Sequence, residues 1–143
     1  MKLQRLLIAC TGNICRSPIA EGLIKVRAPG LECASAGTHA LVGRAAEAYA
    51  QEIMAEHGFD ISAHRAQQAT EKLLNWADLI LVSEQAHADW IVRRAAHLRG
   101  RVHKLGKWRD NADIADPYRA PRRAFEDAYA DISGCVDDWL SRL

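Results

Sequence analysis

Leu6-Leu7-Ile8-Ala9-Cys10-Thr11-Gly12-Asn13-Ile14-Cys15-Arg16-Ser17-Pro18 is the stretch on which the reading of this chain turns. Its first four residues make a short apolar strand candidate. Ser17 followed by Pro18 reads as an N-cap and first helical position, where a missing N–H is harmless. Residues 10 to 16 are then a loop that carries the chain from a strand into a helix. In such a loop consecutive backbone N–H groups can converge on one point with the positive helix end behind them, an anion cradle that needs no lysine. Gly12 and Asn13 suit the positive φ angles of this wrapping. Arg16 adds a planar fork that can hold two oxygens of one phosphate. Cys10, at the strand end, would project its sulfur into the same bowl, where the amides, the helix end and Arg16 favour the thiolate and Ser17 can donate its hydroxyl. The predicted phosphate-binding set is Thr11, Gly12, Asn13, Ile14, Cys15, Arg16 and Ser17, gathered around a nucleophilic Cys10.

Outward from this run, apolar strand candidates alternate with helical periodicity along the whole length, the sign of a parallel sheet covered on both faces. Strands are predicted over Leu3 to Ala9, Leu31 to Ser35, Asp78 to Val82 and Arg101 to Leu105. The continuous apolar run Leu79-Ile80-Leu81-Val82 suits a strand buried on both sides. Helices are predicted over Pro18 to Val26, Ala45 to His57, Glu71 to Trp76 and Glu84 to Ala96. In a last helix Phe125, Ala128, Tyr129, Ile132, Cys135, Val136, Trp139, Leu140 and Leu143 share one face. That spacing assigns Cys135 to the core, as its short strand assigns Cys33.

Composition bounds the function classes. A chain of 143 residues is the size of one ordinary domain, so residues 1–143 are read as a single domain. The formal net charge of +1 points to no nucleic-acid or anionic-membrane surface, so recognition of a dianion must be local. The apolar run before Cys10 is too short for a signal peptide and nothing approaches the length of a membrane span, which implies a cytoplasmic address. The four cysteines then read as reactive or buried thiols. The histidines show no metal-ligand spacing, and no metal or cofactor is expected.

Cys10 to Pro18 resembles the phosphate loop of the low-molecular-weight protein tyrosine phosphatases. Three further segments match in the order that family shows: Ser35-Ala36-Gly37-Thr38, then His64 with Ala66 and Gln68, then Asp116-Pro117-Tyr118. Through Ala40-Leu41-Val42-Gly43 and Asp116-Pro117-Tyr118-Arg119 the chain is most similar to the bacterial branch associated with exopolysaccharide and capsule export. Two positions depart from the family: Gln67 stands where members usually carry Arg, and Leu41 where mammalian members place an aromatic.

The resemblance implies an α/β fold with a four-stranded parallel sheet in the order 2-1-3-4, helices on both faces and the phosphate loop after strand 1. It also implies hydrolysis of phosphotyrosine through a phosphocysteine, with Cys10 as nucleophile and Arg16 as clamp. Such chemistry expels a phenolate, and an acid that protonates the leaving oxygen is worth on the order of 10² to 10⁴ in rate. Between Gly106 and Pro121 the candidates are Asp110, Asp113 and Asp116, and spacing alone does not choose. Pro117 biases Asp116 toward extended backbone, Tyr118 adds an aromatic wall, and the resemblance selects Asp116 as acid and then base. Leu41, Tyr118 and Trp108 are candidate walls of the substrate cleft. Asn13, Ser17 and His64 are expected to support the loop, His64 by a hydrogen bond to Asn13. Cys10 and Cys15 are a candidate redox pair that forms a disulfide on oxidation, as family members do.

Ile14 stands where related arginine phosphatases carry threonine, which favours phosphotyrosine. The implied partner is a phosphotyrosine protein, a tyrosine autokinase of polysaccharide export, with the enzyme a monomer by default. Two rival readings are an arsenate reductase of the same fold, which would need a relay of thiols absent between Cys33 and Cys135, and a non-catalytic phosphotyrosine-binding module.

Overall fold

The computed structural model describes residues 3–143. Its centre is β1 (Arg5–Cys10), with every residue from Leu6 to Cys10 buried. Successive side chains of a strand point to opposite faces, and β1 uses that alternation fully. Leu6 and Ile8 enter one core with Ile19, Leu23, Phe125 and Ile132, while Leu7 and Ala9 enter a second with Ile80, Leu74 and Ile91.

The sheet is four-stranded with order β2-β1-β3-β4 and every pairing parallel, as the resemblance implied. Its other strands are β2 (Glu32–Gly37), β3 (Leu79–Val82) and β4 (Val102–Lys104). The helices are α1 (Arg16–Arg27), α2 (Ala48–Glu56), α3 (Glu71–Trp76), α4 (Gln85–Arg94) and α5 (Arg122–Leu140). Helices α1, α2 and α5 cover the first face, and α3 and α4 the second. On α5 the predicted stripe holds from Phe125 to Trp139. Its indole Nε1 donates to the Leu105 carbonyl at 2.9 Å, tying the segment after β4 to the final helix.

Several local expectations are corrected. Helix α1 begins at Arg16 with Cys15 as its N-cap and no side-chain cap bond, so Ser17 lies inside the first turn and its hydroxyl is used elsewhere. Gly12 does not adopt positive φ; Asn13 alone in the loop does, at 60°. Cys33 is half-buried beside the core, because β2 is an edge strand. Leu143 lies beyond α5 and is 51% exposed. Helix α4 ends at Arg94, and a 3-10 turn over Ala96–Arg101 leads into β4.

Parallel strands all end on one side, so the segments after β1, β2, β3 and β4 meet at a single rim. Open α/β sheets bind ligands at the carboxyl ends of their strands for this reason.

Candidate active site

The loop from Cys10 to Arg16 is braced from outside through its carbonyls. The Cys10, Thr11, Gly12 and Ile14 carbonyls accept from the backbone N–H groups of Thr38, His39, Leu41 and Glu47 at 2.8–3.0 Å. The Asn13 carbonyl accepts from His64 Nε2 at 2.7 Å, which places the proton of that ring on Nε2. With the carbonyls turned outward, the backbone N–H groups of Thr11 to Cys15 have no acceptor among the described residues. Asn13 to Cys15 are buried and buried backbone donors are ordinarily paired, so this row of free N–H groups before the start of α1 marks a place for an anion.

The outer brace is the segment after β2. A Cβ on Gly37 would lie 2.4 Å from the Thr11 carbonyl oxygen, so glycine is required for the two backbones to approach. Gly37 also donates to the Gln67 carbonyl at 2.9 Å, while Ala69 donates to the Gly37 carbonyl at 2.8 Å.

Asn13 holds the inside of the loop. Its amide Nδ2 donates to Ser17 Oγ at 2.8 Å and to Ser35 Oγ at 2.9 Å, and its Oδ1 accepts from the Gln67 N–H at 2.9 Å. Ser35 in turn donates to Glu21 at 2.6 Å. Because Ser17 Oγ already accepts from Asn13, its own proton is free for the Cys10 sulfur 2.9 Å away. Hydrogen bonding to the charged form of a group favours that form. Gln67, the residue that departs from the family, is tied in through its side chain as well: its Nε2 donates to the Ser35 carbonyl at 2.9 Å.

Arg16 is 1% exposed. Its Nη1 donates to Glu84 Oε2 and to the Ile114 carbonyl, both at 2.7 Å, and its Nη2 lies 3.6 Å from Asp116 Oδ2. Its Nε is buried with no hydrogen-bond partner among the described residues. One edge of the guanidinium is thus fixed to the protein, which leaves Nε and Nη2 for a bidentate ligand.

Glu84, the N-cap of α4, is itself held by a capping box with His87. The Glu84 N–H donates to His87 Nδ1 at 3.1 Å, so the ring proton sits on Nε2, which meets Thr11 Oγ1 at 2.9 Å. Burial, and then the charge of Arg16, lower the His87 pKa to about 4, so this ring is neutral at physiological pH.

A cavity of about 300 Å³ opens above the loop, lined by Cys10, Ile14 and Arg16 below and by Leu41, Asp116 and Tyr118 at the sides. Of the three aspartates between Gly106 and Pro121, only Asp116 lines it. Asp113 is bound to Lys104 at 2.7 Å and accepts from the Gln85 N–H; the lysine holds its carboxyl below the usual range. Asp116 keeps Oδ2 toward Arg16, while Oδ1 accepts from the Tyr118 N–H at 3.1 Å.

Trp108 does not reach the cavity. It packs edge-on against Trp139 with Arg142 over its ring, so it is removed from the cleft walls. His39 and Arg119 do line the cavity, and sequence reasoning missed both.

Cys15 is buried in the loop. Burial, followed by the neighbouring Cys10, pushes its pKa up, so Cys15 stays a thiol and does not compete as nucleophile. Both are free cysteines.

Glu84, His87, Ser35 and Glu21 also went unassigned in the sequence. The one available signal was Glu84 and His87 at N-cap spacing, three residues apart, at the start of a predicted helix.

The sequence profile of the low molecular weight phosphotyrosine protein phosphatases matches residues 5–143. The chain is 48% identical over 141 residues to the probable low molecular weight protein-tyrosine-phosphatase EpsP of Ralstonia solanacearum, covering 99% of this chain and 97% of that one. It is 38% identical over 143 residues to Etp of Escherichia coli K12, covering 100% and 97%. Among solved structures, Vibrio vulnificus Wzb in complex with benzylphosphonate superposes with a TM-score of 0.96 at 37% identity, over 99% of this chain and 100% of that one.

Proposed function

The chain belongs to the low molecular weight phosphotyrosine protein phosphatase family and is a protein-tyrosine-phosphatase, and on that premise we propose that Cys10, Arg16 and Asp116 carry the reaction. The phosphate of the substrate sits on the free N–H groups of Thr11 to Cys15 and on Nε and Nη2 of Arg16, with the ring between Leu41 and Tyr118. The Cys10 thiolate attacks phosphorus, the bond to the phenolic oxygen breaks, and Asp116 gives its proton to that oxygen. Water then attacks the phosphocysteine, Asp116 takes its proton, the P–S bond breaks, and thiolate and phosphate are restored. Ser17 steadies the sulfur anion, and Asn13 and His64 hold the loop's shape.

The observation that carries this reading is the buried, unpartnered Nε of Arg16 beside a row of unpartnered N–H groups around one sulfur. These are donors without acceptors, arranged for a tetrahedral dianion. The physiological substrate we propose is a tyrosine autokinase of exopolysaccharide or capsule export, met in the cytoplasm by a monomeric enzyme. When peroxide oxidises Cys10 to the sulfenic acid, the Cys15 thiol condenses with it, releasing water and leaving a reducible disulfide.

Cys10→Ser tests the core of the proposal. Turnover of p-nitrophenyl phosphate without added metal should fall by more than about 10³, while phosphate or vanadate still binds by calorimetry. Retained turnover would remove Cys10 from the mechanism. No release of nitrophenol by the unaltered protein, with phosphate still bound, would favour the binding module.

A further inference from the structure

Helix α4 begins at the loop and runs away from it. His87, in its first turn, touches Thr11. One turn on, the Trp90 ring stands edge-to-face against His39, with centroids 6.0 Å apart. One turn further, the Arg94 guanidinium carbon lies 3.8 Å from the centre of the Trp90 ring. A groove of about 650 Å³ follows this line, walled by Thr38, His39, Gln68, Trp90 and Arg94. His39 also lines the catalytic cavity, so the two spaces are neighbours that share this side chain.

Arg94 is exposed. Among the described residues its only side-chain hydrogen bond is a 3.3 Å donation to the carbonyl of Trp90 in its own helix, and no carboxylate pairs with it. Stacking on Trp90 orients the guanidinium and leaves its other donors facing water, the state in which an arginine recognises a carboxylate. The Trp90 indole Nε1 is buried with no acceptor among the described residues, and packing and stacking hold the platform.

We infer that this groove is a subsite for an acidic side chain flanking the phosphotyrosine, with Arg94 as its recognition element and Trp90 as the platform. The inference rests on the phosphatase reading above and adds a sequence preference to it. Length sets the spacing. His87 and Arg94 are seven residues apart, a rise of about 10 Å in a helix, and an extended peptide covers that distance in about three residues. Glu71 also lines the groove and opposes the charge of the incoming residue, which limits the preference.

The test compares three phosphotyrosine peptides: one with neutral flanks, one with Asp three residues before the phosphotyrosine and one with Asp three residues after. At low salt one acidic peptide should be cleaved with a kcat/KM about three-fold above the neutral one, mainly through KM. The advantage should shrink as salt is raised. Arg94→Gln should abolish the advantage and leave p-nitrophenyl phosphate turnover unchanged, while Glu71→Gln should enlarge it. Equal rates for the three peptides, or an advantage that survives Arg94→Gln, would overturn the subsite. Inactivity of the unaltered protein toward every substrate, nitrophenyl phosphate included, would overturn the phosphatase reading itself.

Discussion

The phosphate loop and the segment that carries Asp116 face each other across one cavity and are built in opposite ways. The loop is buried from Asn13 to Ser17. Its carbonyls from Cys10 to Ile14 are each engaged by a donor outside the loop. The segment from Gly106 to Pro121 is mostly exposed and is held at separated points. Ile114 donates to the Ser83 carbonyl at 2.8 Å, Asp113 meets Lys104, and just before the segment Trp139 donates to the Leu105 carbonyl. Asp116 itself is 44% exposed. On the proposed mechanism the difference follows from what each must do. An anion cradle works by donors that are already aimed, because reorientation during the reaction would cost what the cradle gains. An acid that protonates a leaving group and then activates water needs solvent access and room to shift.

Deleting the acid is the largest way to break the comparison. Asp116→Ala should lower kcat by about 10² or more for aryl phosphates with leaving groups of high pKa, and by much less for nitrophenol, which leaves without a proton. Its thermal midpoint should stay close to that of the unaltered protein, since the carboxylate is exposed. A leaving-group series read by stopped assay measures this, and equal losses across the series would assign the acid to another residue.

Asn13→Ala attacks the opposite wall and should damage fold and activity together. It strips partners from Ser17, Ser35 and the Gln67 N–H and puts alanine at a φ of 60°. A loss of about 3 kcal/mol in urea unfolding is expected, with kcat reduced about ten-fold as the Ser17 hydroxyl loses its orientation. Stability unchanged in this variant would show that the loop is not the rigid half.

The smallest effect concerns the joint between the loop and α4. His87 is neutral in the folded protein down to about pH 4, whereas in an unfolded chain it takes up a proton near pH 6.5. As pH falls through that window the unfolded state binds a proton that the folded state does not, so stability falls. His87→Gln, which keeps a donor for Thr11, should flatten the decline in urea midpoint between pH 7 and pH 5. An identical decline in both proteins would remove His87 from the pH response.

The strand-loop-helix order around Cys10 was legible because each element there is specified by neighbours in the chain. Leu6 to Ala9 alternate between two cores, and the Gly-Asn turn and Pro18 follow within a few residues. The same logic misplaced the helix start by two residues, since Ser17 has the chemistry of an N-cap but its hydroxyl is drawn inward by Asn13 and Cys10. Trp108 was misread for a related reason: its aromatic face serves a cleft or a packing site equally well, and Trp139 and Arg142 took it.

By itself the sequence picked out Cys10 and Arg16 as the proposed nucleophile and clamp, and determined the parallel α/β pattern and the buried face of the last helix, because short spacing and period are properties of a chain. The position of Asp116, and not Asp113, in the cavity wall, the fixing of Arg16 by Glu84 and Ile114, the neutral His87 beneath Thr11 and the groove beside Arg94 were set by tertiary structure. Each joins residues tens of positions apart, and only the convergence of four parallel strand ends at one rim sets which charges meet and which remain unpaired.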